Sequence, residues 1–434
     1  MNSKELLEKI QCDLSDEGTA VGIKIEQKFS PSEFGGEVQP PSYLSEEVDN
    51  RGNAKPIQLF AIRRIKGREA LTVQLDSIPS QANRLEEFME KNAIELNLPV
   101  MGTIVENVFL TQYRAPHRSY DAYFKFSELN GTPFFESEIG KSIIHADSWS
   151  ATPLYKFSPN IPLFGGWASH ADDRALNIPG TDGRARHAQA KFERAVEGSV
   201  IGVITYLDNL DFNLKGNYSN VIEELRKIFT VGKTASRFDP FNPDSTGGKL
   251  SDVGLGHIPP TIDYGNGYVT VEDIFYQGII KFPSLRKLYF PSEETNTYDE
   301  KRDVAARVVL AALSLYLFTA YLSQGAIKLR SRATLEPNFA TLKFTYTTSY
   351  NQNEEFELNK DTAKQLYFLA LEEAKKHNLR FNEECLILKF NRDALIQNSK
   401  GKDKISYVFN LPNMPSYMYR ICPKLKDILE GKQG

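Results

Sequence analysis

The chain has 434 residues, 41% hydrophobic and 25% charged, which allows a full core and two or three domains, or one domain with large insertions. Three cysteines, Cys12, Cys385 and Cys422, lie far apart with no CxxC pair; that spacing predicts neither a disulfide framework nor a zinc site and fits a reducing cytoplasm. The formal charge of −4 disfavours a general polyanion binder, yet it is unevenly spread. Residues 1–50 carry four Lys/Arg against eleven Asp/Glu, a net of −7, and the remainder holds 48 against 45, a net of +3.

In chain order, residues 1–29 read as an N-terminal helix followed by a strand at 18–29. The opening "MNSKELLEKIQCDL" carries charges within its apolar stretch, unlike a signal peptide. Residues 30–56, rich in Pro, Gly, Ser and acids, read as a mobile excursion. The basic run "RRIKGR" (63–68) precedes a β-like stretch at 69–75, a helical pattern at 80–96 and a second β-like stretch at 102–110. Ala82, Leu85, Phe88 and Met89 recur at helical spacing, so residues 57–111 form one predicted β-α-β half.

Residues 112–300 are irregular, with many Gly, Pro and aromatic residues and a second basic stretch, "RKIFTVGKTASR" (226–237). Such a segment reads as insertions from a scaffold. From Val308 to Leu322 the chain is densely apolar, but as a helix it spans only about 22 Å, short of a hydrocarbon core; it is predicted to be a buried helix, with no membrane association. A second β-α-β half follows within 301–394: an alternating strand at 338–350, an amphipathic helix at 360–378 and a strand at 385–391. Residues 395–434 form a C-terminal segment. Two such halves predict an α+β fold with an RRM-like (ferredoxin-like) palm and large irregular insertions as finger- and thumb-like excursions.

Catalytic motifs are approached but not completed. "FESEIGKS" (135–142) and "KIFTVGKT" (227–234) imitate a phosphate loop but begin with Phe135 and Lys227, where backbone amides wrapping a phosphate need glycine. "GLGHIP" (254–259) starts like a dinucleotide fingerprint and ends in Ile-Pro. "GWASH" (166–170) sets a serine beside a histidine without GxSxG, and neighbouring side chains diverge from the backbone. His117, His145 and His170 have no evident acid or base partner, and neither a metal nor a cofactor is expected.

The stretch "DSIPSQANRLEE" (76–87) places six hydrogen-bonding side chains within nine residues at a strand-to-helix junction. Ser80 serves as a helix cap, with Asp76 and Ser77 shaping the turn, yet capping needs only one or two such groups. A helix start offers unpaired N–H groups to a phosphate, and Gln81, Asn83 and Arg84 can add donors. Mixed donors with a few cations suit contacts to an RNA backbone.

The run Asp76, Ser77, Ser80, Gln81, Ala82, Asn83, Arg84 and Glu86 resembles a CRISPR-associated RAMP family, the backbone subunits of the type I-G (formerly I-U) Cascade effector. "PLFGGWASH" (162–170), "GIIKFPSLRKLYFP" (278–291) and "GAIKLRSRATL" (325–335) resemble further segments of that family in the same order. Ala333 stands where family members often carry a cysteine, and "ERAVEGSVIGV" (193–203) matches loosely. The resemblance implies a cytoplasmic, non-catalytic crRNA-binding subunit of an antiviral surveillance complex. Copies would stack as a helical filament along the guide, beside the target DNA strand, a large subunit and a crRNA-processing subunit. Candidate RNA contacts are Arg63, Arg64, Lys66, Ser77, Ser80, Gln81, Asn83, Arg84, Trp167, Ser169, His170, Arg194, Lys233, Lys328, Arg330 and Arg332. The last three alternate after Gly325 and so are expected on one face of a strand. The rival readings are a RAMP-type endoribonuclease and a hydrolase or transferase with its site in the Gly-rich stretch 238–268.

Overall fold

The computed structural model of the chain describes residues 3–48, 52, 54–168, 191–209, 218–233, 263–348, 352–398 and 414–429. The elements that frame the fold are, in order, α1 (Ser3–Asp13), β1 (Gly22–Pro31), β2 (Phe60–Ile65), β3 (Arg68–Asp76), α2 (Ile78–Lys91), β4 (Met101–Val105), β5 (Val108–Thr111), β6 (Val196–Tyr206), β7 (Asp273–Lys281), α3 (Glu300–Leu322), β8 (Ile327–Arg330), β9 (Ala333–Pro337), β10 (Lys343–Thr347), α4 (Lys360–Lys376) and β11 (Leu386–Phe390). The α+β class holds.

The largest sheet runs β8-β9-β1-β7-β6-β3-β2, every neighbouring pair antiparallel. Strand β10 pairs with the first half of β1, Gly22 to Glu26, while β9 pairs with its end, Phe29 to Pro31. Four strands therefore stand in the order β10-β1-β7-β6. Helix α2 lies in the connection from β1 to β6, and α3 in the connection from β7 to β10. The helices touch each other, α2 packs on β6 and α3 on β7, so both cover one face of these strands.

Local sequence explains the burial. In β1, Ile23, Ile25 and Phe29 face the helices, whereas Lys24 is exposed and Glu26 and Lys28 half-buried, the alternation of a one-sided sheet. In α2 the stripe Ala82, Leu85, Phe88 and Met89 is buried, each large member contributing roughly 1.5–3 kcal/mol by leaving water. Helix α3 is apolar on all sides and lies between α2, α4, α1 and β7. Among the described residues it is the one helix long and apolar enough to cross a membrane, and 94% of its apolar window is buried inside the protein.

The two predicted β-α-β halves are corrected in their membership. β3 extends the large sheet, but β4, expected beside it, belongs to a second sheet ordered Thr132–Pro133, Ser127–Leu129, β11, β4, β5. β11 leaves the large sheet in the same way and runs parallel to β4, Leu386 opposite Met101. A period of two identifies a strand but not its neighbour, and α3, being apolar all round, hides the crossover role it plays.

The stretch 30–56 also holds more structure than a loop. Glu37–Val38 pairs with the strand Asp263–Thr270, and Tyr43–Val48 forms a hairpin with Ala54–Ile57. Cys385 and Cys422 form a disulfide despite their separation of 37 residues, contrary to the expectation from spacing; Cys12 is free and exposed. The fold, not the sequence, sets their Cα atoms 5.7 Å apart, within bridging range.

Candidate nucleic-acid interface

The junction from β3 to α2 is built around a buried carboxylate. Ser77 is the helix cap, its hydroxyl accepting from the backbone N–H of Ser80 at 3.4 Å, and Pro79 occupies the first turn. The cap therefore falls three residues before the expected Ser80. Asp76, with 3% of its side chain exposed, accepts through Oδ2 from Gln81 at 2.6 Å and from Arg84 Nε at 3.0 Å. Its Oδ1 accepts from Arg330 at 3.1 Å. Arg84 then donates through its other nitrogens to the carbonyls of Leu329 at 2.9 Å and Lys328 at 3.2 Å, and Arg330 to that of Gln39 at 3.2 Å. Burial lowers the Arg330 guanidinium, with Asp76 opposing.

This network corrects the expected roles of three residues. Gln81 has no exposed surface. Arg84 and Arg330 lock the start of α2 to the β8–β9 hairpin, because a buried carboxylate must be paired. Asn83 and Lys328 are exposed, and Ser77 and Ser80 half-buried. Arg332 does not share the strand face of Lys328 and Arg330. It sits in the turn after β8 with φ +53, donates to Glu37 at 2.9 Å and lies over the Tyr268 ring at 4.2 Å.

The basic run 63–68 forms the tip of the β2–β3 hairpin. Ile65 faces Arg68, and the two residues between, Lys66 and Gly67, have φ +50 and +83, the twist of a type I′ turn. Arg63 is turned inward, donating to Thr72 Oγ1 and Gln74 Oε1, and burial lowers its guanidinium. Arg68 grips Asp208 with two bonds of 2.8 and 2.6 Å. Arg64 and Lys66 are exposed. The Lys66 ammonium lies 4.9 Å above Phe275, which is itself buried, with Lys28 at 5.3 Å from the same ring.

Trp167 is 57% exposed on the two-residue strand Gly166–Trp167, opposite Lys191. It does not anchor the core. Arg194 is exposed nearby. Lys233 ends the strand Thr230–Lys233, opposite Asp263. Ser169 and His170 lie outside the described residues, as do "GLGHIP" and most of 238–268. In "FESEIGKS", Ser137 caps the helix Glu138–Ile144 by accepting from Gly140 N–H at 3.1 Å. A Cβ on Gly140 would meet the Phe134 carbonyl oxygen at 1.8 Å, so this glycine serves helix packing rather than a phosphate loop. Among the described residues no group of three or more His, Cys, Asp or Glu is placed to hold a metal.

Buried ion pairs are what sequence reading missed. Glu86 accepts from Arg118 at 2.6 and 2.8 Å and from Asn160 at 2.7 Å; burial pushes its carboxyl up, and Arg118 pulls it part of the way back. Glu90 accepts from Arg114 at 2.6 Å and Tyr417 at 2.6 Å. The signal was present: two acids four residues apart share the apolar stripe of α2, and buried acids require partners.

Residues 23–205 match the family model described as CRISPR-associated protein GSU0053 (Cas_GSU0053). The matched span runs from β1 into β6 and so contains β1 and α2 with nearly all of β6, while β7, α3 and β10 lie beyond it. No curated protein matches the chain.

Proposed function

From this match, which indicates a CRISPR-associated family, we propose that the chain is a non-catalytic crRNA-binding backbone subunit of a type I (I-G) Cascade complex. The observation that carries the reading is the strand order β10-β1-β7-β6 with two crossover helices on one face, the arrangement of an RRM-like palm, whose first half coincides with the matched span. The insertions around it act as finger- and thumb-like excursions. On the face opposite the helices Phe275 is buried near Lys28 and Lys66, which suits a grip on a guide's backbone better than base stacking on the sheet. Such a grip leaves sequence to pairing between guide and target DNA.

Within this reading the solvent-facing groups Arg64, Lys66, Asn83, Lys328 and Arg194, with Ser80, Arg332 and Trp167, contact RNA. Gln81, Arg84 and Arg330 hold the surface that presents them. Copies of the chain repeat along the guide in the cytoplasm, beside a large subunit and a processing subunit.

The test is purification after co-expression with a CRISPR array. Spacer-length RNA should copurify, and Arg64→Ala with Lys328→Ala should weaken its retention and flatten the salt dependence by about one released counterion per lost phosphate contact. Protein that emerges free of RNA at low salt overturns the reading. Divalent-dependent cleavage of the bound RNA would assign the chain to the RAMP endoribonucleases instead.

A further inference from the structure

At the N-terminal end of α3 the surface carries an ordered aromatic group that the RNA reading does not use. Trp149 stacks on Tyr289 with ring centroids 4.9 Å apart and planes 7° from parallel, yet it remains 61% exposed. One face is covered by Tyr289, so its opposite face and edges account for that exposure. Tyr298, 57% exposed, meets Tyr289 edge-on at 6.1 Å. Beneath, the fully buried guanidinium of Arg307 lies 5.1 Å from the Tyr289 ring, held by Asp16 and the carbonyls of Leu14 and Leu288.

The backbone fixes this arrangement. Tyr289 N–H donates to Ser148 and Ala151 N–H to Tyr289, both at 2.8 Å. Asp147 Oδ1 accepts from the N–H groups of Trp149 and Ser150, closing the turn that holds the indole. The open indole of Trp149 is thus held in place before any partner arrives, which lowers the entropic cost of binding.

The surrounding charge selects the partner. The segment "SEETNTYDE" (292–300) has four acids and no base, and Asp147 is exposed beside Trp149. Against them stand Lys156, which is paired with Glu293 at 2.8 Å, and Lys301; Lys287 turns to Glu193. An acidic rim repels a phosphate backbone and attracts a cation, and a guanidinium on an open indole face gains a cation–π interaction.

We propose that Trp149 and Tyr298, with the exposed acids Asp147, Glu294 and Asp299 on the segments that carry them, form a docking site for an arginine-bearing peptide segment of a protein partner. The site lies at the opposite end of α3 from the β8–β9 hairpin. Over 23 residues the helix spans about 33 Å, so the peptide site and the cations of that hairpin lie on separate surfaces.

The test uses the full-length protein and a labelled glycine–arginine octapeptide, with its citrulline counterpart and a labelled oligouridylate as controls, read by fluorescence anisotropy at physiological salt. Trp149→Ala should weaken the arginine peptide about tenfold, Trp149→Phe less, and Glu294→Lys measurably, while oligouridylate binding is unchanged in the two Trp149 variants. Should Trp149→Ala misfold by circular dichroism, the other two variants carry the test. Wild-type peptide affinity in the properly folded variants, equal binding of the citrulline peptide, or loss of oligouridylate affinity in Trp149→Phe overturns the proposal. Because the peptide and RNA are read separately, failure here leaves the guide-binding proposal standing.

Discussion

Asp76 collects donors from Gln81, Arg84 and Arg330 while almost none of its side chain reaches water. Removing it leaves two guanidinium groups without their counter-charge, each still about a quarter exposed, so Asp76→Ala should cost about 3 kcal/mol in urea unfolding. Asn83→Ala, on the exposed side of the same helix, should stay within about 0.5 kcal/mol and act only on RNA retention. Equal losses for both would mean that Asn83 is structural. Glu86 adds a prediction about pH. Burial raises its folded-state pKa, more than Arg118 and Asn160 lower it, so the native state binds its proton more readily than the unfolded chain does. Its contribution to stability therefore falls as pH rises from the unfolded value, about 4.3, through the folded one. Glu86→Gln removes that titration. Urea midpoints at stepped pH should show wild type losing ground to the variant over this range; a constant difference would refute the assignment.

At the scale of elements, Arg84 joins α2 to a hairpin more than two hundred residues away. Lysine at this position keeps the charge on Asp76 but cannot reach the carbonyls of Lys328 and Leu329 with the same planar fork. Arg84→Lys should cost roughly 1–2 kcal/mol, and hydrogen exchange in β8 and β9 should rise about tenfold while α3 is unaffected. Uniformly faster exchange would show that the fork supports the whole fold rather than this hairpin. Much of this region was legible beforehand. The stripe of Ala82, Leu85, Phe88 and Met89 fixed the buried face of α2, and the apolar run from Val308 located α3. The surplus of polar groups at 76–84 was visible too, but its meaning was not. A donor that can grip phosphate can equally grip Asp76, and only the return of β8 from the far end of α3 decides between them. The disulfide was hidden for the same reason: Cys385 and Cys422 become neighbours through folding, not through spacing.

Across the whole molecule, the order of strands makes the two parts of the chain depend on each other. Within the matched span 23–205, β1 and β6 are not hydrogen-bonded to one another, because β7 stands between them with Ile23 opposite Ile280 on one side and Val196 opposite Ile280 on the other. The helix-covered face of the sheet also depends on α3, which packs on β7 and likewise lies outside the span. A fragment ending at residue 205 therefore leaves both edges of β1 and one edge of β6 unpaired and a core face uncovered, and both defects favour association over folding. Expressed alone, it should show no cooperative urea transition and should aggregate. Co-expression with residues 263–398, which supply β7, α3 and β10, should return it to the soluble fraction as a complex. A sharp, reversible transition in the isolated fragment would mean that the matched span is an independent domain and that β7 is not the keystone of the sheet. That outcome would also detach the family match from the palm, since the matched residues would then fold without half of its strands.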